Sequence, residues 1–144
     1  MSLPEIYFAG ALFNHKDLLG NALVGRQLAA LMPGYRIVLP QDIELTERRD
    51  LDIRNADYAA VMRASAAIFH FDGCELDSGT VAEFMVAKLI DLPAVLFRSD
   101  FRKAGDQLEG EPWNLMCSFF PRTEAVVIDA LQLYAEHGAG GGEA

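Results

Sequence analysis

The sequence predicts an α/β protein built on a parallel sheet, and three observations carry that expectation. Short apolar runs of strand character alternate with segments whose apolar residues recur at helical spacing. The stretch Ala66 to Lys88, AAIFHFDGCELDSGTVAEFMVAK, passes from a buried strand through an acidic loop into a helix. At 144 residues the chain is long enough for one well-packed domain and short for two. We therefore expect a single domain over residues 1–137 and a flexible Gly-rich tail, GAGGGEA, over 138–144.

Taken in order, Glu5 to Ala9, EIYFA, is aromatic and β-branched and ends at Gly10, so it reads as the first strand. From Lys16 to Leu31 the residues Leu18, Leu19, Ala22, Leu23, Leu28 and Leu31 follow helical spacing, and Pro33-Gly34 stops that helix. Tyr35 to Leu39 is a second strand, closed by Pro40. Gln41 to Asn55, QDIELTERRDLDIRN, has no convincing period and reads as a long loop with at most a broken helix; loops of this length are usually functional or mobile. Asn55 or Ala56 opens a short helix through Arg63, which leads into the central strand at Ala66. Leu92 to Phe97 is a further buried strand, followed by a charged loop to Glu111 and the apolar run Trp113 to Phe120. Glu124 to His137 reads as a short strand leading into a helix. This alternation predicts a flavodoxin-like three-layer sandwich with a central five-stranded parallel sheet and helices on both faces.

Composition narrows the partners. Half of the residues are apolar and 23% are charged, the balance of a soluble globular protein. A formal net charge of -9 argues against nucleic acid, whose phosphates are bound largely by Lys and Arg, and leaves neutral or cationic small molecules. Cys74 and Cys117 are too few and too far apart for a disulfide framework or a four-ligand zinc site, so no metal is expected and a reducing cytoplasm is the expected setting. The start MSLPEIYFAG lacks the features of an export signal, and no run approaches the ~20 apolar residues of a membrane helix. We expect no membrane partner.

Chemistry concentrates in the central stretch. In an open α/β sheet, ligands sit where a strand's carboxyl end meets a helix N-terminus, and Asp72, Asp77 and Glu83 fall in that crevice. Asp77 or Ser78 suits the N-cap of the following helix. Glu83 lies about one turn inside, where the helix dipole favours its ionised form. Neighbouring carboxylates repel, so one of them can be held protonated and act as a general acid. A cap and a solvated second-turn Glu account for the same residues about equally well.

The pieces IYFAG (Ile6 to Gly10), LPQD (Leu39 to Asp42), Asn55-Ala56-Asp57, FDG (Phe71 to Gly73) and DSGTVAE (Asp77 to Glu83) resemble, in order and spacing, the nucleoside 2-deoxyribosyltransferase family. A weaker match runs on through Trp113-Asn114-Leu115-Met116. The resemblance implies a cofactor-free enzyme that moves 2-deoxyribose between nucleobases with retention at C1'. By the family's pattern Glu83 matches the nucleophile, Asp57 and Asp77 match acids that hold the base or sugar and carry its proton, and Tyr7 matches the tyrosine that orients the nucleophile. Gly10, Phe13, Asp72, Gly73, Ser78 and Gly79, with Asn114 and Met116 reaching across a subunit interface, are the expected substrate contacts. Partners would be 2'-deoxynucleosides, free nucleobases and a second copy of the chain.

Departures from the pattern are specific. Phe84-Met85-Val86-Ala87 stands where many members carry a Leu/Ile-Gly-Tyr-Ala type run, and the tail lacks the aromatic C-terminus of some members. Ala11-Leu12-Phe13-Asn14 lacks the Ser/Gly/Arg character of relatives that bind a 5'-phosphate. Local readings also stand beside the functional ones: Tyr7 as a packing aromatic, Asp57 as a first-turn helix acid, Asn114 as a helix cap, and His70 as a satisfied core histidine. Hydrolysis of deoxynucleosides or their 5'-monophosphates, and nucleoside binding without catalysis, remain the alternatives to transfer.

Overall fold

The computed structural model describes residues 1–46 and 48–138, so the Gly-rich tail beyond Gly138 lies outside the described residues. Five strands form one parallel sheet: β1 (Glu5–Ala9), β2 (Arg36–Val38), β3 (Ala66–His70), β4 (Ala94–Arg98) and β5 (Thr123–Val127). Their spatial order is β2-β1-β3-β4-β5, so the chain direction of assembly reverses between β1 and β3. That switch point is where a crevice opens at the carboxyl ends of the strands.

Helix α1 (His15–Leu31) begins at Asn14, whose side chain accepts from the backbone N–H of Lys16 and Asp17. Its Gly25 faces Leu39, where an added Cβ would come within 3.0 Å of the leucine side chain, so α1 can lie close against the end of β2. Helices α3 (Asp50–Arg63) and α4 (Ser78–Leu89) pack side by side on the opposite face. Period-two alternation divides the strands between these layers. Tyr7, Ala9, Ala67, Phe69 and Leu96 join Ala60 and Val61 of α3 and Phe84 and Ala87 of α4 in the main core. Phe8 and His70 face the α1 side, with ring centroids 6.0 Å apart. The expected three layers and five-stranded sheet are present.

The stretch 41–55 departs from the loop reading. It forms α2 (Pro40–Thr46) and the first turns of α3, so the helix that leads to β3 starts five residues before Asn55. The apolar period is absent because α2 buries only Pro40 and Ile43, while Asp42 and residues 44–46 are exposed. Pro40, read as a strand terminator, is the first residue of α2, where a missing N–H costs nothing. Asp50 and Asp52 occupy the first turn of α3, and Asp52 accepts from Arg49 at 2.6 Å.

Elsewhere the boundaries move by a residue or two. Trp113 and Cys117 are buried in the core, while Met116 and Phe119 are exposed, so the apolar run 113–120 is split between packing and surface. No helix among the described residues is long and apolar enough to cross a membrane.

Candidate active site

Three side chains from three elements meet beside the switch point. Tyr7, from the middle of β1, is fully buried, and its hydroxyl donates to Glu83 Oε1 at 3.0 Å. Glu83 sits in the second turn of α4. Asp57, from α3, lies within hydrogen-bonding reach of the same phenol. Tyr7 therefore stands between two carboxyls, and the phenol's own ionisation is pushed far above its usual range by burial and by the two acids.

Electrostatics tie the two carboxyls into one titrating unit. Burial raises Glu83 to about 7; the Tyr7 hydrogen bond opposes that rise, and Asp57 and Asp77 add to it. Asp57 rises to about 6, through burial first and then the charge of Glu44. Two acids that neighbour each other and titrate near neutrality share a proton across that range, which provides one ionised carboxylate and one proton donor together. Tyr7→Phe removes the donor that favours ionisation of both. The rising limb of the rate–pH profile is expected to move up by about one unit, with a rate loss at pH 7 of roughly 5-fold. An unmoved limb would show that the phenol does not tune Glu83.

Asp77 holds the start of α4 in place. It is the N-cap, and one oxygen accepts from both the Thr80 N–H and the Thr80 hydroxyl at 2.9 Å. Thr80 is itself buried, so the acid fixes the register of the helix that carries Glu83. The cap expected from the sequence is present, and Asp77 also acts on Glu83 through its charge.

Two clefts flank α4. The first, about 320 Å³, is lined by Glu44, Asp50, Arg54, Asp57, Gly79 and Glu83 among others. The second, about 710 Å³, is lined by Ser78, Trp113, Asn114 and Met116 with the loop 104–106. A larger hollow of about 810 Å³, near Glu5 and Arg36 at the amino end of β1, contains none of the expected site residues. The carboxyl pair lies in the smallest of these three, so chemistry and not size identifies the site.

The expected contacts thus fall into separate groups. Glu83, Asp57 and Gly79 share the first cleft; Ser78, Asn114 and Met116 share the second. Within one chain, Asn114 caps the short 3-10 turn Leu115–Cys117 by accepting from Met116 N–H at 2.9 Å. Phe13 is largely exposed and lines neither cleft flanking α4. Gly10 packs beneath His70, where an added Cβ would sit 3.1 Å from the histidine's.

Asp72 is not brought to Glu83. Its carboxylate accepts from Ser99 N–H at 2.7 Å, Ser99 Oγ at 2.6 Å and Asp100 N–H at 3.0 Å. His70 Nε2 approaches the same carboxylate at 2.8 Å, off the line of a good hydrogen bond. Burial works against ionisation of Asp72, but the contacts from His70 and Ser99 outweigh it and hold the acid well below its ordinary range. Its neighbour Gly73 takes φ +104°, and its N–H donates to Asp100 at 3.0 Å. Asp72 and Gly73 therefore lock the loop after β3 to the loop after β4.

Two residues of this region were not singled out in the sequence. Arg98 ends β4 and is completely buried. Its guanidinium donates to the carbonyls of Phe71 at 2.5 Å, Gly73 at 3.1 Å, Asp100 at 3.1 Å and Arg102 at 2.7 Å. An arginine closing an apolar strand run was the available signal. Glu44, on α2, gave none, because its nearness to Asp57 arises only when α2 folds back along α3.

Residues 6–116 match the family model described as nucleoside 2-deoxyribosyltransferase. Among solved structures, the chain is similar to a conserved protein from Enterococcus faecalis V583, with 24% identity and a TM-score of 0.73 over 92% of this chain and 96% of that chain. A 2-desoxiribosyltransferase from Leishmania mexicana aligns with 23% identity and a TM-score of 0.67 over 93% and 98% of the two chains. A CMP N-glycosidase from Clostridium botulinum aligns with 11% identity and a TM-score of 0.55 over 92% and 95%. At these identities the structures attest the fold. No curated protein matches.

Proposed function

The chain belongs to the nucleoside 2-deoxyribosyltransferase family, and we propose that it moves 2-deoxyribose between purine or pyrimidine bases through a covalent deoxyribosyl-Glu83 intermediate with retention at C1'. The observation that carries this reading is the half-buried Glu83 carboxyl, held by the Tyr7 hydroxyl beside a second acid, Asp57. A nucleophile that must meet an electron-poor carbon needs to be aimed and partly freed of water, and this contact does both.

The steps balance as follows. A Glu83 oxygen forms a bond to C1' while the glycosidic C–N bond breaks, and its electron pair leaves with the base. Asp57 or Asp77 gives that base a proton. The nitrogen of a second base then attacks C1', the C1'–O bond to Glu83 breaks to regenerate the carboxylate, and the acid recovers a proton from the incoming base. Two inversions give net retention, as in retaining glycosidases. Asp77 doubles as helix cap, so Asp57, which has no capping duty, is the better placed proton carrier.

The protein would act as a homo-oligomer. Asn114 and Met116 line a different cleft from Glu83 in their own chain, and Met116 is exposed. In this reading both complete a neighbouring subunit's site and keep water from the intermediate.

The test is incubation with a 2'-deoxynucleoside, with and without a different free base, followed by chromatography. A new deoxynucleoside that appears only with the added base is the expected result. Free base and deoxyribose formed at the same rate without acceptor would make the protein a hydrolase instead.

A further inference from the structure

We propose that Tyr58 is the platform on which the nucleobase stacks in the Glu83 cleft, with one edge of the base turned to Asp57. The inference rests on the reading of that cleft as a deoxyribosyl-transfer site. It goes further by naming the residue that holds the base and the kind of contact that holds it.

The acids of the cleft serve bond breaking and proton transfer, but they offer the flat face of a base nothing to rest on. The other walls do. Ile53 and Tyr58 of α3 line the cleft, and Gly79 and Ala82 of α4, neither of them bulky, line it beside Glu83. Tyr58 is half-buried, so part of its ring is covered by the protein and part stays open. Among the described residues its hydroxyl has no hydrogen-bond partner and its ring no aromatic partner. The other candidates are placed elsewhere. Tyr7 is engaged with Glu83 at 3.0 Å, and Trp113 lines the second cleft. Phe13, a substrate contact expected from the sequence, is exposed and lines neither. Tyr58 is thus the one aromatic side chain among the described residues lining the Glu83 cleft.

Helix geometry relates this ring to the proton carrier. Successive residues of an α-helix point about 100° apart, so Asp57 and Tyr58 present adjoining walls at nearly a right angle. A planar base has the matching pair of features, a π-face and an edge of nitrogen atoms perpendicular to it. With its face on Tyr58, its edge meets Asp57, and Glu83 stands on α4 where the sugar carbon must come. The cleft, about 320 Å³, is at the small end of ligand sites, so departing and incoming bases use the same platform in turn.

Every base has a π-face, so an aromatic platform serves purines and pyrimidines alike. Its loss is felt for both. The stack is made before the glycosidic bond breaks and persists while it breaks, so it contributes to binding and leaves the chemical step largely unaffected.

The experiment is steady-state base exchange by the native protein, Tyr58→Leu and Tyr58→Phe, with adenine and then cytosine as acceptor and the donor saturating. Leucine keeps the apolar bulk that a merely packing side chain supplies and removes the π-face; phenylalanine keeps the face and removes the hydroxyl. The expected result in Tyr58→Leu is an acceptor KM raised roughly 10-fold for both bases with kcat within about 2-fold, and in Tyr58→Phe a KM restored to near the native one. A KM unchanged in Tyr58→Leu, a KM raised as much in Tyr58→Phe, or a loss confined to kcat overturns the inference. Should Tyr58→Leu fail to fold, Tyr58→Met makes the same comparison. Absence of any transfer by the native protein would count against the functional reading itself. In that case calorimetric titration with free adenine decides the stacking separately: weaker binding to Tyr58→Leu than to the native protein and Tyr58→Phe upholds it, and equal binding, or none to the native protein, refutes it.

Discussion

Replacing Glu83 by glutamine is expected to abolish base exchange, lowering the rate by at least roughly 1,000-fold, while making the folded protein more stable at alkaline pH. Glutamine keeps an oxygen that accepts from the Tyr7 hydroxyl, so the geometry around β1 and α4 survives. What it loses is the charge that attacks C1'. The stability gain follows from linkage. Glu83 titrates near 7 in the folded protein against a reference value of 4.5. Its folded-state value is raised, so the associated stability is complete below about 4.5 and is lost as pH climbs through 7. Above pH 8 the native protein holds a half-buried, repelled carboxylate at a cost of up to about 3 kcal/mol, which the glutamine variant escapes. Urea denaturation of both proteins at pH 4 and pH 8 measures this directly. The expected outcome is near-equal stability in acid and a more stable variant in base. A variant that is less stable at pH 8, or one that still exchanges bases at the native rate, would contradict the role assigned to Glu83. Such a trade of stability for reactivity is common where an active group must be desolvated.

The sequence was most legible where chemistry is local. The passage from β3 through Asp72-Gly73 to α4 could be read from turn residues and apolar spacing, and Asp77 was one of the two candidate caps, because N-cap preference depends on the next three residues alone. The sheet order followed from alternation of elements. Between residues 41 and 55 the same reading failed, because surface helices carry little apolar period and Pro40 suits a helix start as well as a strand end. The active pair is non-local by nature. Tyr7 and Glu83 are 76 positions apart, and only the family resemblance joined them before the fold did. Asp72 shows a second non-local arrangement. Its position at a strand end suggested a ligand contact, but its partners, Ser99 and Asp100, arrive from the next strand, 27 and 28 positions on.

That same pair of loops makes Arg98 the residue outside the reacting groups whose loss should matter most. Its cation is fully buried and, among the described residues, has no carboxylate hydrogen-bonded to it; its acceptors there are four main-chain carbonyls. Removing a buried charge relieves its desolvation, which by itself would stabilise. The carbonyls, however, remain after the substitution. Those of Gly73, Asp100 and Arg102 lie in partly exposed loops and can turn to water, whereas Phe71 is wholly buried and its oxygen cannot. One stranded carbonyl costs about 1–3 kcal/mol, and the loosening of two loops adds to it. Arg98→Met is therefore expected to destabilise by about 3 kcal/mol, which in a chain of this size lowers Tm by roughly 10 °C. The loop freed in this way runs from Phe71 to Asp77, the cap of α4, so the aim of Glu83 should suffer with it. Arg98→Lys restores the charge but reaches fewer of the four carbonyls, and it should recover only part of the loss. Thermal unfolding of the native protein and both variants provides the ranking. If lysine restored full stability, charge alone would matter; if methionine unfolded no earlier than the native chain, the clamp between the two loops would have no energetic weight.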